Sequence, residues 1–302
     1  MKKLIIIIII LPLFCLGQFN IIDAANKELP ILTKNMDNTI FLELNSLFIT
    51  TIQETKPCNI NLIIPFLKNE NLKLDLEYFE VFTEDFQVAR TTDANFIVTN
   101  YSPSIVSYKI QGENNISGSV SILKNRFIGV IKKDGGIYEI AHIEDNIYAL
   151  VDVNDAIAEF NFTCQTNTKD VIPNNILESE NTSGALCLNM AIDIDYYTYS
   201  EFNYNCNDAV EWVLAVLTGV SEIYMLDLNV LVQASYVHVW ESINDPYSGD
   251  DMYDYLNDLE DTWTSSWNFN AVDRDIVHLF TKQNVGGGLA NMDALCSNWQ
   301  GY

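Results

Sequence analysis

Leu186-Cys187-Leu188-Asn189-Met190-Ala191-Ile192-Asp193-Ile194-Asp195-Tyr196 is the stretch that decides the fold, because apolar and polar residues alternate along it. Alternation with a period of two predicts a half-buried β-strand. A helical run follows, then a second strand over Leu228 to Trp240, an acidic amphipathic helix and a third strand over Asp275 to Phe280. Strands and helices that alternate at this spacing are typical of an α/β sheet with helices on its faces.

Two helices are expected between these strands. Asn205 before and Gly219 after an apolar run are typical helix start and stop residues, and they predict a largely buried helix. In the acidic helix the apolar residues recur at helical spacing, and the acidic residues between them are expected to face solvent. The apolar set is Met252, Tyr255, Leu256, Leu259, Trp263 and Trp267.

The third strand and its continuation carry a resemblance to a known family. The matching residues are Asp275-Ile276-Val277-His278-Leu279-Phe280-Thr281, Gly287-Gly288-Leu289-Ala290 and Leu295-Cys296. They resemble the strand and edge-strand region of reprolysin (adamalysin)-type metzincins, which are secreted zinc metalloendopeptidases. The resemblance covers residues 116–302. It implies an α/β fold: the N-terminal part of a metzincin catalytic domain at 186–302, a twisted mixed sheet with helices on its faces, preceded by a β-rich prodomain.

The family's zinc-binding motif, His-Glu-x-x-His-x-x-Gly-x-x-His, follows this region in its members. This chain has three histidines, His142, His238 and His278, and none is followed by Glu-x-x-His. No pair of them has the spacing of metal ligands, so each is expected to be a hydrogen-bonded structural residue. We therefore expect a bacterial-type precursor truncated before the zinc helix. It would contain no catalytic residue and be inactive, with zinc bound only in the full-length enzyme.

The composition narrows the classes of function. The 302 residues have room for about two domains. With 41 acidic and 16 basic residues, the net charge of −25 excludes most nucleic-acid binding, which requires basic surface. This charge is compatible with Ca²⁺ or basic substrates, or with a simply solvated surface. Arg274 and Lys282 are the only basic residues in 187–302, a contrast that supports a domain boundary near residue 185.

The N-terminus has the pattern of a secretory signal peptide. Lys2 and Lys3 precede an apolar run from Leu4 to Leu16, and Gly17 ends it. This pattern predicts a signal peptide over residues 1–17, cleaved after Gly17, because the run is too short to span a membrane. No other segment looks long and apolar enough to cross a bilayer. The sequence thus predicts a secreted, extracellular protein without a membrane span.

The region from Phe41 to about Asp155 consists of short apolar runs separated by turn signals, which predicts a mostly β domain. Asp134-Gly135 supplies the positive φ angles of a tight hairpin. Three runs within 116–140 resemble the propeptide of reprolysin-type precursors, so the resemblance implies a prodomain over residues 18–165. Residues 166–185 are polar, with one Pro and one Gly, and are predicted to form an exposed linker or activation segment.

The cysteine count is odd once the signal peptide is removed, with Cys58, Cys164, Cys187, Cys206 and Cys296 remaining. Cys164 lies just before the linker, where the resemblance implies a cysteine switch. In such a switch a propeptide thiolate is a ligand of the catalytic zinc. A disulfide with Cys58 is the alternative. Cys187 and Cys206 are expected at opposite ends of a strand about 30 Å long and are not predicted to pair.

Two further sites are implied by the resemblance. Gly288, Leu289 and Ala290 would lie along an edge strand that binds an extended polypeptide substrate through main-chain hydrogen bonds. An ordinary flexible turn is the alternative. Asp193 and Asp275 occupy the positions of a structural calcium site, with metal-free surface carboxylates as the alternative.

Two other classes of function are left open. One is a secreted, non-catalytic module that binds peptides or surfaces. The other is a degenerate protease homologue, in which the sequence would continue with substituted histidines.

Overall fold

The computed structural model describes residues 18–22, 39–67, 70–111, 115–124, 126–155 and 186–291. The predicted signal peptide, the linker, Cys164 and Cys296 lie outside these ranges. The described residues form two β-sheets and five α-helices.

A nine-stranded antiparallel sheet is built from the N-terminal half of the chain. Its strand order is β1-β2-β11-β10-β9-β8-β7-β4-β3. A short 3-10 helix, Val153–Asp155, follows β11. The bounds are β1 Phe19–Ile21, β2 Ile40–Leu44, β3 Asn59–Phe66, β4 Glu70–Phe79, β7 Val106–Gln111, β8 Ile116–Leu123, β9 Arg126–Lys133, β10 Gly136–Glu144 and β11 Ile147–Asp152.

This sheet curls until its two ends meet. The side-chain amide of Gln18 makes two hydrogen bonds to the backbone of β3, donating to the carbonyl of Asn61 at 2.8 Å and accepting from the amide of Ile63 at 2.7 Å. Helix α1 (Ser46–Thr55) packs against the sheet and buries Phe48, Ile49 and Ile52 in the same apolar core. The predicted hairpin at Asp134-Gly135 is confirmed, because both residues have positive φ and β9 pairs with β10 around them.

The second sheet has five strands in the order β14-β12-β13-β5-β6. The parallel strands are β12 (Leu186–Ile194), β13 (Val230–Trp240), β14 (Ile276–Phe280) and β5 (Phe82–Thr91), and β6 (Phe96–Asn100) is antiparallel to β5. The first three strands match the predicted positions closely. Helix α3 (Cys206–Leu228) packs on one face of this sheet and helix α4 (Met252–Ser265) on the other, and successive residues of β12 face these two helices in turn.

Strands β5 and β6 come from the N-terminal half, so the sheet crosses the predicted boundary near residue 185. β5 lies beside β13 in parallel register, with Val88 opposite Val237 and Thr91 opposite Trp240. Local alternation predicts a strand but does not say which distant strand it pairs with. The domain boundary itself stays a prediction.

Helix α3 (Cys206–Leu228) extends beyond its predicted end. It begins after Asn205 as predicted, where the Asn205 side chain accepts two backbone hydrogen bonds. The expected stop at Gly219 is wrong. A glycine costs a helix about 1 kcal/mol but does not end it unless the chain turns to the left-handed region. That turn is made by Asn229, with φ 54°.

By length and composition α3 could cross a membrane, contrary to the sequence-based expectation. The expected helix ended at Gly219 and was too short to cross a membrane, whereas the helix in the structure continues to Leu228. In the structure α3 contacts both β13 of one sheet and β8 of the other. Half of the most apolar part of the helix is buried inside the protein.

Three further helices complete the described part of the chain: α2 (Tyr196–Glu201), α4 (Met252–Ser265) and α5 (Trp267–Asn270). The predicted amphipathic pattern of α4 is confirmed by the burial of Met252, Tyr255, Leu259 and Trp263. Trp267 is an exception: its side chain is 81% exposed.

Candidate functional site at the carboxyl ends of the parallel strands

The carboxyl ends of β5, β12, β13 and β14 lie at one edge of the five-stranded sheet. Crevices at this edge are where open α/β sheets usually bind ligands, at the point where neighbouring connections run over opposite faces. Here the connections after β12 and β13 contain α3 and α4, on opposite faces. Several buried polar side chains lie at this edge.

Asp193 is the centre of a buried polar cluster at this edge. Its side chain is fully buried. One oxygen, Oδ1, lies 2.8 Å from Nδ1 of His238, the residue beside it on β13. The other, Oδ2, accepts hydrogen bonds from the Tyr247 hydroxyl at 2.5 Å and the Trp263 indole at 2.9 Å. Both oxygens therefore have protein partners.

The charge state of Asp193 follows from these contacts. Burial alone would raise its pKa, because a charged carboxylate is poorly solvated inside a protein. The Coulombic attraction of His238 and the hydrogen bonds from His238, Tyr247 and Trp263 outweigh this effect and hold the pKa of Asp193 below its ordinary value. Asp193 is thus an ionised carboxylate within the core.

His238 joins this cluster to the N-terminal half. Its second ring nitrogen, Nε2, lies 2.8 Å from the hydroxyl of Thr91 at the end of β5. The ring is also fully buried and stacks on Phe96 of β6, with centroids 5.9 Å apart. The hydrogen bonds predicted for His238 are therefore confirmed.

Two more carboxylates, Asp195 and Asp245, lie at the same edge. Asp195 caps α2 through the Thr198 amide and accepts from the Thr281 hydroxyl at 2.6 Å. Burial raises its pKa in spite of these hydrogen bonds. Asp245 accepts from the Tyr196 amide at 2.7 Å, and burial raises its pKa to about 6. These groups hold the loops above the sheet in place.

The described residues do not fit a catalytic metal. Among them, no group of three or more His, Cys, Asp and Glu could hold an ion. His142 lies on β10 of the other sheet, with Nε2 3.0 Å from the Asp145 carbonyl, and His278 is on β14. His238 has both ring nitrogens engaged. Zinc needs three or four ligands that converge on one point, and these side chains do not converge.

Asp193 and Asp275 do not come together as the calcium prediction required. Asp193 lies opposite Leu279 in the register of β12 and β14, four positions beyond Asp275 and about 13 Å along the strands. Asp275 accepts a hydrogen bond from the Asn189 amide at 2.7 Å, at the other end of β12. One calcium ion could not bind both carboxylates in this arrangement, since its ligands lie 2.3–2.6 Å from it.

Gly288, Leu289 and Ala290 line a small cleft of about 120 Å³ against α4 and β14. The expected edge strand is not formed, because residues 281–291 contain no strand. Gly286 and Gly287 have φ angles of 84° and 147°, which lie outside the range of a β-strand. The substrate role of these three residues stays a prediction.

Three cysteines lie among the residues that the structure describes. Cys58, Cys187 and Cys206 are free thiols, so the expectation that Cys187 and Cys206 do not pair holds in the structure. The proposed switch residue Cys164 lies outside the described residues.

Sequence reasoning missed the partners of Asp193. A charged residue within an apolar strand is a signal for a buried partner, since an isolated buried charge is costly. The sequence did not indicate that the partners would be His238, Tyr247 and Trp263, or that Thr91 would contact His238 from the N-terminal half.

Comparison with known proteins shows what the C-terminal part of the chain is similar to. Residues 187–301 match the sequence model of Reprolysin_5, described as metallo-peptidase family M12. The C-terminal part of the chain is therefore similar in sequence to this metallopeptidase family. The structure also resembles that of metalloproteinase-II from Bacteroides fragilis, with a TM-score of 0.43 and 10% identity, over 80% of this chain and 71% of that one. No curated protein sequence matches the chain significantly.

Proposed function

We propose that this chain is precursor sequence of a secreted, zinc-dependent metalloendopeptidase. The observation that carries the proposal is the M12 match over residues 187–301, the segment that contributes β12, β13 and β14 to the five-stranded sheet. Residues 18–165 would be the prodomain, and residues 1–17 a signal peptide cleaved after Gly17.

The described residues do not fit zinc, and all three histidines of the sequence are among them. We therefore propose that these 302 residues alone do not hydrolyse peptide bonds. When bound in an enzyme of this class, zinc activates water and polarises the scissile carbonyl. In this chain the buried groups at the sheet edge position α2, α4 and the intervening loops.

The proposed substrate is a polypeptide in extended conformation. The cleft beside Gly288, Leu289 and Ala290 supports this proposal because it is lined mainly by apolar side chains. It also lies next to β14, which pairs with β12 on one side and forms the edge of the described sheet. We also propose that Cys164 is the switch ligand for zinc in the full-length enzyme.

The test is to read the coding DNA past codon 302 and to express the chain with and without any continuation. We expect a zinc-helix motif in the continuation, and hydrolysis of a fluorogenic protein substrate by the longer product only, abolished by a chelator and restored by zinc. A stop codon directly after codon 302 would refute the peptidase proposal. N-terminal sequencing of the exported product should begin at Gln18.

A second candidate is a non-catalytic module that binds peptides or a degenerate homologue of the peptidase. One observation favours it: the ring nitrogens of His238, a potential metal ligand, are both occupied by Asp193 and Thr91. This candidate predicts that the 302-residue chain binds extended peptides, and that Leu289→Asp in the cleft weakens the binding.

A further inference from the structure

We propose that residues 18–155 remain bound to residues 186–291 as a non-covalent partner after the chain between them is cut. The proposal goes beyond the peptidase assignment and does not depend on it, because it concerns the surface between two parts of the chain. The contacts that carry it are of three kinds: strand pairing, a shared apolar core and buried polar pairs.

Strand pairing is the first contact. β5 extends the sheet beyond β13, with Gln87 to Thr91 in parallel register with Tyr236 to Trp240. Where the regular register is interrupted, the Gln233 amide donates to the carbonyls of Glu80 and Phe82 at 3.0 and 3.3 Å. Without β5, the edge of β13 would expose unpaired backbone groups, which is a costly state for a central strand.

A shared apolar core is the second contact. One cluster of buried side chains contains residues from both sides of the predicted boundary. Separation of the two parts would expose these side chains to water, which is unfavourable in proportion to the apolar area exposed. The N-terminal members are Val81, Phe86, Val88, Ile105 and Leu123, and they pack with residues of β12, α3 and β13.

Buried polar pairs are the third contact. The hydroxyls of Ser107 on β7 and Thr218 on α3 lie 2.9 Å apart in the core. Glu211 of α3, whose side chain is 3% exposed, accepts from the Tyr101 hydroxyl and from the amide and hydroxyl of Ser104. These contacts specify one arrangement, because a partner without them would leave buried groups unpaired.

The charges are complementary across the same surface. Arg90 lies 3.4 Å from Glu241, and Lys124 forms an ion pair with Asp208. In both pairs the basic residue belongs to the N-terminal part and the acidic residue to the C-terminal part, which contains few basic residues of its own. Such complementarity favours re-association of the two pieces over binding to unrelated acidic proteins.

The consequence is that one cut between the two parts would not release them. While the linker is intact, it holds the two parts at a high effective concentration, and cleavage removes this advantage. At micromolar concentration the pieces then stay together only if the Kd of their complex is about 1 µM or lower.

The experiment uses the whole chain from Gln18 to Tyr302, with the recognition sequence of a site-specific protease inserted between Asn174 and Asn175. After complete cleavage, size-exclusion chromatography and native mass spectrometry at 1 µM should show both pieces together at the elution volume of the uncut chain. They should separate in concentrated urea. Separation in native buffer would overturn the proposal.

Variants test the named contacts. Thr91→Val removes the partner of His238 and should raise the Kd of the cut pieces about 10-fold or more, whereas Thr91→Ser should stay close to the native value. Thr83→Val is the matched control on the same strand, because its hydroxyl bonds to Asp85 on its own strand. An equal effect of Thr83→Val would show that the His238 contact contributes nothing specific. Should Thr91→Val not fold, the native cut chain still decides the proposal.

Discussion

The two sheets have cores of different chemistry. The core of the nine-stranded sheet consists of aliphatic and aromatic side chains around α1, and none of the buried residues among the described part of 18–155 is charged. The core beside the five-stranded sheet encloses the ionised Asp193 and its partner His238. The first core depends on volume and shape, so it should respond to loss of side-chain atoms. The second depends on matched partners, so it should respond to a change of charge and to pH.

The largest effect is expected from Phe127→Ala in the nine-stranded sheet. Phe127 is fully buried and meets Phe19 and Tyr148 edge-on, at centroid distances of 5.5 and 6.5 Å. Its removal should lower the free energy of unfolding by about 3–5 kcal/mol, measured by urea denaturation, and the loss should be the same at pH 5 and pH 8. Val130→Ala, on an exposed position of the same strand, should stay within about 0.5 kcal/mol. A loss that varied with pH would contradict the comparison.

Asp193→Asn is expected to cost about 3 kcal/mol, because it leaves His238 beside a neutral group in a dry site. Asp275→Asn is the matched control, since Asp275 is exposed and its replacement retains an acceptor for the Asn189 amide. It should cost less than about 1 kcal/mol. Equal losses for the two variants would show that the buried pair contributes no more than a surface carboxylate.

The pH dependence of the Asp193 contribution has a definite sign. Because its pKa is lowered in the folded state, its stabilisation is complete above the ordinary value of 3.8 and is lost as the pH falls through the folded pKa. The difference in unfolding free energy between the native protein and Asp193→Asn should therefore shrink below about pH 4. A difference that stays constant down to pH 2.5 would contradict this assignment.

A smaller effect is expected from Glu222→Gln, on the side of α3 near the nine-stranded sheet. Burial raises the pKa of Glu222 to about 7, against the attraction of Lys109 on β7 and together with the repulsion of Glu77 on β4. The raised pKa means that its stabilisation is complete below the ordinary value of 4.5 and is lost as the pH rises through about 7. The variant should lose less stability than the native protein between pH 5 and pH 8, as measured by urea midpoints. Glu54→Gln is the matched control, because it removes the same charge at an exposed position. It should not flatten this dependence of stability on pH.

The three C-terminal strands of the five-stranded sheet could be predicted from sequence, but their partners could not. Alternation located β12, β13 and β14 to within about two residues, because burial of one face leaves its period in the chain. The pairing of β5 with β13 joins residues about 150 positions apart, and no local pattern records which strands become neighbours. Gly219 misled the helix assignment because the residue that ends α3, Asn229, also reaches the left-handed region.

The Asp193–His238 pair shows why the site was harder to predict than the strands. Near the start of β12, Leu186 lies opposite Val230, which would place Asp193 opposite Val237. A bulge at Ser235 shifts the register by one residue and brings His238 opposite Asp193 instead. A single inserted residue reverses the faces of a strand. The sequence alone did not reveal this bulge. The family resemblance implied a calcium site at Asp193, with a metal-free surface carboxylate as the alternative, and neither expectation places Asp193 in the core.

The contact between Gln18 and β3 has a consequence for self-association. A free strand edge can recruit another copy of the chain, and the Gln18 amide occupies the donor and acceptor positions that an intruding strand would use at Asn61 and Ile63. Cyclisation of an N-terminal glutamine to pyroglutamate consumes this amide. If Gln18 becomes the first residue of the chain, the same reaction would remove these two hydrogen bonds and leave the edge of β3 open to another copy of the chain.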